Sequence, residues 1–295
     1  MPTFILKLFA HLPLPFIHAL GTLLGWIAYW VDGTYARRLT ENLRQSGLAV
    51  GADDYSRLRR ASIGEAGRGA LEVLAAWGRA PDRVAALVKN CDGWQHVEAA
   101  LAARRPLLFI TPHLGGFDVA GRYVASRLPF PLTAMYRPPK LSWLEPLMNA
   151  GRVRGNGRTA PATAAGVRQL LKTLKQSEAV VILPDQVPGA GEGVWAPFFG
   201  KPAFTMTLLP RLAKSADACV LFFFAERLPW GRGYRVRILP MVGEFNGDRS
   251  HDAALLNHNL EHLIRLAPAQ YLWSYNRYKQ PAGADPAPEQ TANLS

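Results

Sequence analysis

The chain has 295 residues, 49% of them hydrophobic, a formal net charge of +12 and a pI of about 10.0. That apolar fraction excludes a disordered chain, and the length favours one large α/β domain with its own core. The basic excess points to an anionic partner: nucleic acid, an acidic membrane surface or a phosphorylated substrate.

Residues 12–31 contain no Lys, Arg, Asp or Glu and are about long enough to cross a bilayer. Pro13, Pro15 and His18 weaken the start of this stretch, while Trp26, Tyr29 and Trp30 resemble an interfacial aromatic anchor. Residues 1–31 therefore read as a membrane anchor, spanning or lying in the interface, with a buried core helix as the alternative. A secretory signal fits less well, because no small-residue cleavage site follows. Helical spacing with basic faces covers 34–47 and 53–77, and another helix is expected at 94–105.

Beyond that the texture changes. Short apolar runs of buried-strand type lie at 106–110, 132–136, 179–183 and 218–224, and 234–238 alternates like a half-exposed strand. Helical patterns fill the gaps near 119–128, 141–151, 162–176 and 204–215, and a last helix at about 250–266 precedes Pro268. Strands alternating with helices predict an α/β fold: a mostly parallel central sheet flanked by helices, with a membrane-associated N-terminal helical segment. The main domain spans 32–280, and the Ala/Pro/Gly-rich residues 281–295 form a disordered tail. Cys91 and Cys219 are too few for a disulfide framework or a metal cluster, and Cys219 in its apolar run reads as a buried structural thiol.

Ligands of an open parallel sheet bind at the carboxyl ends of its strands, so the residues just after each strand come first. They are Thr111-Pro112-His113-Leu114-Gly115-Gly116-Phe117-Asp118, then Arg137, then Pro184-Asp185-Gln186. Three strand ends thus bring His, Arg and Asp to one rim. His113 and Asp118 form an H-x4-D pair. A neutral imidazole takes the proton of an attacking alcohol, and a carboxylate on its other nitrogen fixes the tautomer and stabilises the imidazolium. Gly115 and Gly116 let the turn bend so that the pair meets, and they leave bare N–H groups suited to a developing oxyanion. The bland alternative is that Asp118 merely caps a helix beginning at Val119. The chain has no G-x-S-x-G elbow, and neither cysteine has a histidine nearby in sequence, which favours direct transfer over a covalent acyl-enzyme.

The H-x4-D pair after a strand resembles the first signature of the glycerolipid acyltransferase superfamily. More narrowly, the chain is similar to the lipid A biosynthesis late acyltransferases. The matching segments are Met135-Tyr136-Arg137-Pro138, Gly151-Arg152-Val153-Arg154, Leu171-Lys172-Thr173-Leu174-Lys175, Pro184-Asp185-Gln186, Pro197-Phe198-Phe199-Gly200-Lys201-Pro202-Ala203 and Pro268-Ala269-Gln270-Tyr271-Leu272-Trp273. The resemblance runs to about Lys279. It departs at Asp118, where the lipid A branch commonly has Glu, and this puts the exact acceptor in question. It implies an acyl carrier protein thioester as donor, a phosphorylated glycolipid as acceptor, and work at the cytoplasmic face of the inner membrane. No metal or cofactor is expected.

Arg152, Arg154 and Arg158 lie in a glycine-rich stretch, and Arg137 comes from a neighbouring strand end. Planar guanidinium groups bind phosphate bidentately, so these are expected to hold the acceptor's phosphate, unless they form a solvated loop or a dock for the acidic carrier. Asp185 either orients those arginines or contacts a sugar hydroxyl. Phe198, Phe199 and Phe204 line an acyl channel or fill the core, and His251, His258 and His262 belong to the surface or packing of the last helix. Two competing functions stay open: an esterase or thioesterase using the same dyad on water, and a basic nucleic-acid-binding protein. The second lacks interleaved stacking aromatics or a groove-reading motif.

Overall fold

The computed structural model describes residues 9–137, 145, 148, 153 and 155–288. Helices α1 (Leu14–Val31), α2 (Gly33–Gln45), α3 (Ala52–Gly78) and the short α4 (Pro81–Ala85) precede the first strand. Then follow β1 (Val88–Asp92), α5 (Trp94–Ala102), β2 (Leu107–Ile110), α6 (Phe117–Arg127), β3 (Leu132–Tyr136), β4 (Gly157–Pro161), α7 (Ala164–Lys175) and β5 (Ala179–Ile182). A hairpin of β6 (Gly193–Phe198) and β7 (Lys201–Met206) leads to α8 (Leu208–Ala216), β8 (Cys219–Arg227), β9 (Tyr234–Pro240) and α9 (Arg249–Leu266).

Seven strands make the central sheet in the order β1-β9-β8-β2-β5-β3-β4, with β8–β9 its one antiparallel pairing. The central strands are buried on both faces, so alternate residues feed two separate cores. Leu108, Ile110, Phe222 and Phe224 pack on one face with Leu170 of α7, Leu209 of α8 and Leu260 of α9. Leu107, Phe109, Leu221 and Phe223 pack on the other with Val97 of α5 and Val124 of α6.

The expected α/β architecture is the one observed, and its strongest apolar runs are its central strands. The strands that patterning did not reveal are those it cannot reveal. β1 is Val-Lys-Asn-Cys-Asp, a polar edge, and β4 is an edge strand beginning with Gly157 and ending with Pro161. Arg158 is therefore a strand residue and not part of a phosphate loop. The helix expected at 204–215 begins only at Leu208, because 201–206 is the second arm of the hairpin. The helix expected at 141–151 lies outside the described residues, apart from Glu145 and Met148.

The apolar α1 docks on α3 through a stripe of Leu14, Ile17, His18, Gly21 and Gly25. A Cβ on Gly21 would sit 2.7 Å from Arg68 Cα, and one on Gly25 would collide with the Ile63 carbonyl, so only glycine permits this backbone approach. At the base of the contact lies a buried ionic cluster. Arg227, at the end of β8, donates through Nε and Nη2 to the two oxygens of Glu72, each at 2.7 Å, and through Nη1 to Glu65 at 3.1 Å. Tyr234 Oη donates to Glu72 at 2.8 Å, and His18 Nε2 of α1 lies 3.3 Å from the same carboxylate. Burial alone would raise the Glu72 carboxyl, but Arg227 and His18 outweigh it and hold it at about 2.

A carboxyl depressed from 4.5 to about 2 contributes stability that is fully present above pH 4.5 and lost as pH falls toward 2. The contribution is on the order of 3 kcal/mol. Glu72→Gln is expected to lower the thermal midpoint at neutral pH and to flatten its decline between pH 4.5 and 2. A variant with the wild-type acid slope would trace that decline to other groups.

Candidate active site

Strands β2 and β5 are parallel neighbours with Ile110 opposite Ile182, and Thr111 N donates to Ile182 O at 3.3 Å. Each chain then runs three residues past that level, to His113 on one side and Asp185 on the other. The two side chains meet. His113 Nδ1 lies 2.8 Å from Asp185 Oδ1, and the His113 backbone N–H donates to Asp185 Oδ2 at 2.8 Å. The structure thus brings His113 together with Asp185 and not with Asp118. Asp118 sits in the first turn of α6, where its Oδ2 accepts from Trp77 Nε1 of α3 at 3.2 Å. The H-x4-D spacing carries the second residue onto the helix, whereas strand order puts a different carboxylate beside the ring.

Burial works to raise the Asp185 carboxyl, which is only 2% exposed. The His113 ring, the two His113 hydrogen bonds and the Arg277 guanidinium outweigh burial and hold it below the usual carboxylate range. An ionised carboxylate only accepts hydrogen bonds, so the proton on the ring belongs to Nδ1. On the far side, Gln186 Nε2 lies 3.3 Å from His113 Nε2, which matches an amide N–H donating to a ring lone pair. Phe117 meets the ring edge-on, with centroids 5.1 Å apart. The arrangement is that of an imidazole locked in one tautomer, with Nε2 as its basic nitrogen.

The loop carrying His113 is held from every side. Leu272 N donates to His113 O at 3.1 Å, Gly115 N to Gln270 O at 3.1 Å, and Gly116 N to Ala225 O at 2.8 Å. Arg227 Nη2 donates to Gly115 O at 2.8 Å, which joins the buried ionic cluster to the loop. Gln270 closes the frame by accepting from Arg227 N at 2.8 Å and donating to Arg227 O at 3.1 Å. Gly115 has φ +55°, and a side chain on Gly116 would strike the Tyr234 ring. Both glycines are thus needed for the bend, although it does not bring His113 and Asp118 together as expected. Their amides, however, are spent on backbone carbonyls, so they are not the bare donors the sequence pointed to. The first turn of α6 begins just beyond, and its N-cap Gly116 has no side chain to cap it.

Two cavities adjoin this rim. One of about 290 Å³ runs under α6, lined by Phe117, Asp118, Gly121, Met135, Arg158 and Leu183 among others. Its lining is mainly apolar. Gly121 opens onto it: a Cβ there has no atom of the described residues within 4 Å. The other, of about 610 Å³, lies at the ends of β3 and β4 and is bordered by Arg137, Arg211 and Arg249 over Val167, Met206 and Leu208. Arg137 reaches Glu192 at 3.5 Å, and Arg158 reaches Glu178 at 3.5 Å. Arg211 and Arg249 have no carboxylate partner among the described residues. Arg152 and Arg154 lie outside the described residues.

Phe198 and Phe199 are core residues buried among Tyr271, Trp273 and Tyr278, Phe204 is buried against Trp195, and none of the three lines either cavity. Sequence reasoning passed over Arg277, whose buried guanidinium donates to Phe204 O at 2.7 Å and Thr205 Oγ1 at 2.8 Å while its charge acts on Asp185. It also passed over Glu72 and Arg227. No local pattern marks these three, since each acts across the fold.

A model of the bacterial lipid A biosynthesis acyltransferase family matches residues 2–280. The lipid A biosynthesis lauroyltransferase of Escherichia coli (strain K12) is 29% identical over 280 residues, covering 93% of this chain and 89% of that protein. The palmitoleoyltransferase of the same strain is 27% identical over 281 residues, covering 95% and 90%. A lipid A biosynthesis acyltransferase of Haemophilus influenzae is 28% identical over 181 residues, covering 61% and 56%. With a matched family spanning the His113 loop, the sheet and the C-terminal segment that straps them, the chain belongs to the bacterial lipid A biosynthesis acyltransferases.

Proposed function

We propose that this acyltransferase moves a fatty acyl chain from acyl carrier protein to a hydroxyl of a phosphorylated lipid A precursor, at the cytoplasmic face of the inner membrane. The observation that carries the reading is His113, held in one tautomer by Asp185 at the carboxyl edge of the sheet, with Phe117 beside its ring lining the smaller, mainly apolar cavity. His113 Nε2 takes the proton of the acceptor hydroxyl as its oxygen attacks the thioester carbonyl. The first turn of α6 stabilises the oxyanion that forms. The intermediate collapses to the new ester and expels the carrier's thiolate, which takes the proton back from His113. Asp185 stays ionised throughout and balances the imidazolium. Asp118 contributes from the wall of the smaller cavity and is not the tautomer-fixing group.

In this reading the smaller cavity holds the acyl chain. Arg137, Arg211 and Arg249 hold acceptor phosphate at the larger one. His113→Ala is expected to lower transfer from acyl carrier protein to a lipid A precursor by roughly 10³-fold or more in protein that remains folded. Near-normal turnover of that folded variant would end the mechanism.

Gly121 gives a second test. Leu in its place projects into the acyl cavity, so the preferred donor is expected to shorten by two carbons or more, read by competition between acyl carrier proteins of different chain length. A slower enzyme with the wild-type chain preference would put the acyl chain elsewhere.

A further inference from the structure

Helix α1 has the length and apolarity of a membrane span, yet its packing gives it a different role. It runs against α3 in the opposite sense, with His18 near Glu72, Gly21 near Arg68 and Gly25 near Ile63. Arg68 Nε donates to Thr22 Oγ1 at 2.9 Å, and Arg79 Nε to Ala10 O at 3.1 Å just before the helix starts. The backbones touch, so whatever depth α1 reaches, α3 reaches also. Helix α3 carries Arg57, Arg59, Arg60, Glu65, Arg68 and Glu72 over that length, and charges of this number are not accommodated within a bilayer core. A crossing α1 would have to abandon its glycine contact and leave Glu72 without His18.

The outer face of α1 completes the picture. Every residue that α1 exposes is apolar, and Phe16, Leu23, Leu24, Ile27, Trp30 and Val31 are the large ones. Beside its first turn lies the loop Pro229–Gly231, where Gly231 abuts Pro15 and Trp230 is 86% exposed. Trp230 has φ +62°, a strained setting for an aromatic residue, and its side chain is exposed to solvent. Cations flank this apolar surface in the chain: Arg232 after Trp230, Arg37 after α1, and Arg60 on the partner helix. None of the three has a carboxylate partner among the described residues.

We infer that α1 and Trp230 together form a one-sided docking surface that lies in the plane of an anionic bilayer, with no segment of α1 crossing it. An apolar face with Arg37 just past its end in the chain and Arg232 two residues after Trp230 matches the acyl boundary below a layer of acidic headgroups. Trp230 is a second anchor point, fixed by the fold at the N-terminal end of the helix. The inference rests on the proposed membrane setting, and it adds that both ends of α1 stay on the side of the catalytic domain.

Two experiments on the full chain test it. In a Cys91→Ser/Cys219→Ser background, single cysteines are placed before the helix (Thr3→Cys) and on the catalytic domain (Val242→Cys). Both are then probed in bacterial spheroplasts with a membrane-impermeant maleimide. Protection of both until permeabilisation supports the in-plane helix. Labelling of both also supports it, while overturning the cytoplasmic location. Labelling of Thr3→Cys alone means that α1 crosses, and overturns the inference. In the second, Trp230→Ser and Ile27→Glu are each expected to weaken binding to phosphatidylglycerol-containing vesicles by roughly 10-fold or more at an unchanged thermal midpoint. Wild-type affinity in both variants, or a dimer formed through these residues with no vesicle binding, would overturn it.

Discussion

Ile110 stands opposite Ile182 across two parallel strands, and the candidate site depends on that register. Because both chains leave the sheet at the same level, the third residue past each strand lands at the same height on the rim. A shift of one residue in either strand would invert its side chains and separate His113 from Asp185. The two central cores enforce the register, since Leu108 and Ile110 belong to one and Leu107 and Phe109 to the other. The imidazole is therefore oriented by the bulk packing of the domain and not by a local turn.

A second layer holds the loop in place. Arg227 is fixed by Glu72 and Glu65 and in turn grips the Gly115 carbonyl, while Gln270 and Leu272 hold the same loop from the C-terminal strap. Glu72 also receives His18, so the helix with the exposed apolar face is tied by one buried carboxylate to the loop that carries His113. Breaking such a cluster leaves charge without compensation in the interior, which is costly. The apolar helix and the His113 loop are thus parts of one assembly.

Much of this was legible in the sequence. The fully apolar runs marked the central strands, and reading the residues just past them put His113, Arg137 and Asp185 on one rim. The partner of His113 was not legible, because H-x4-D is a statement about spacing, whereas adjacency of β2 and β5 is a statement about strand order. Edge strands β1 and β4 escaped because their residues are polar or include Gly and Pro, and nothing in a two-residue period distinguishes them from loops. Glycines 115 and 116 do form a bend, but only the fold reveals that it leads His113 to Asp185 and that Gln270 and Ala225 occupy the glycine amides. Phe198 and Phe199 could not be sorted between channel and core by type alone, since either environment selects aromatic residues.

The most direct test separates the two carboxylates. Asp185→Asn and Asp118→Asn are compared by kcat for acyl transfer in folded protein. Loss of the group that fixes the Nδ1 proton is expected to cost roughly 10³–10⁴-fold at Asp185, and about 10-fold or less at Asp118. The reverse order, with Asp118→Asn the crippled enzyme and Asp185→Asn nearly intact, would contradict the account.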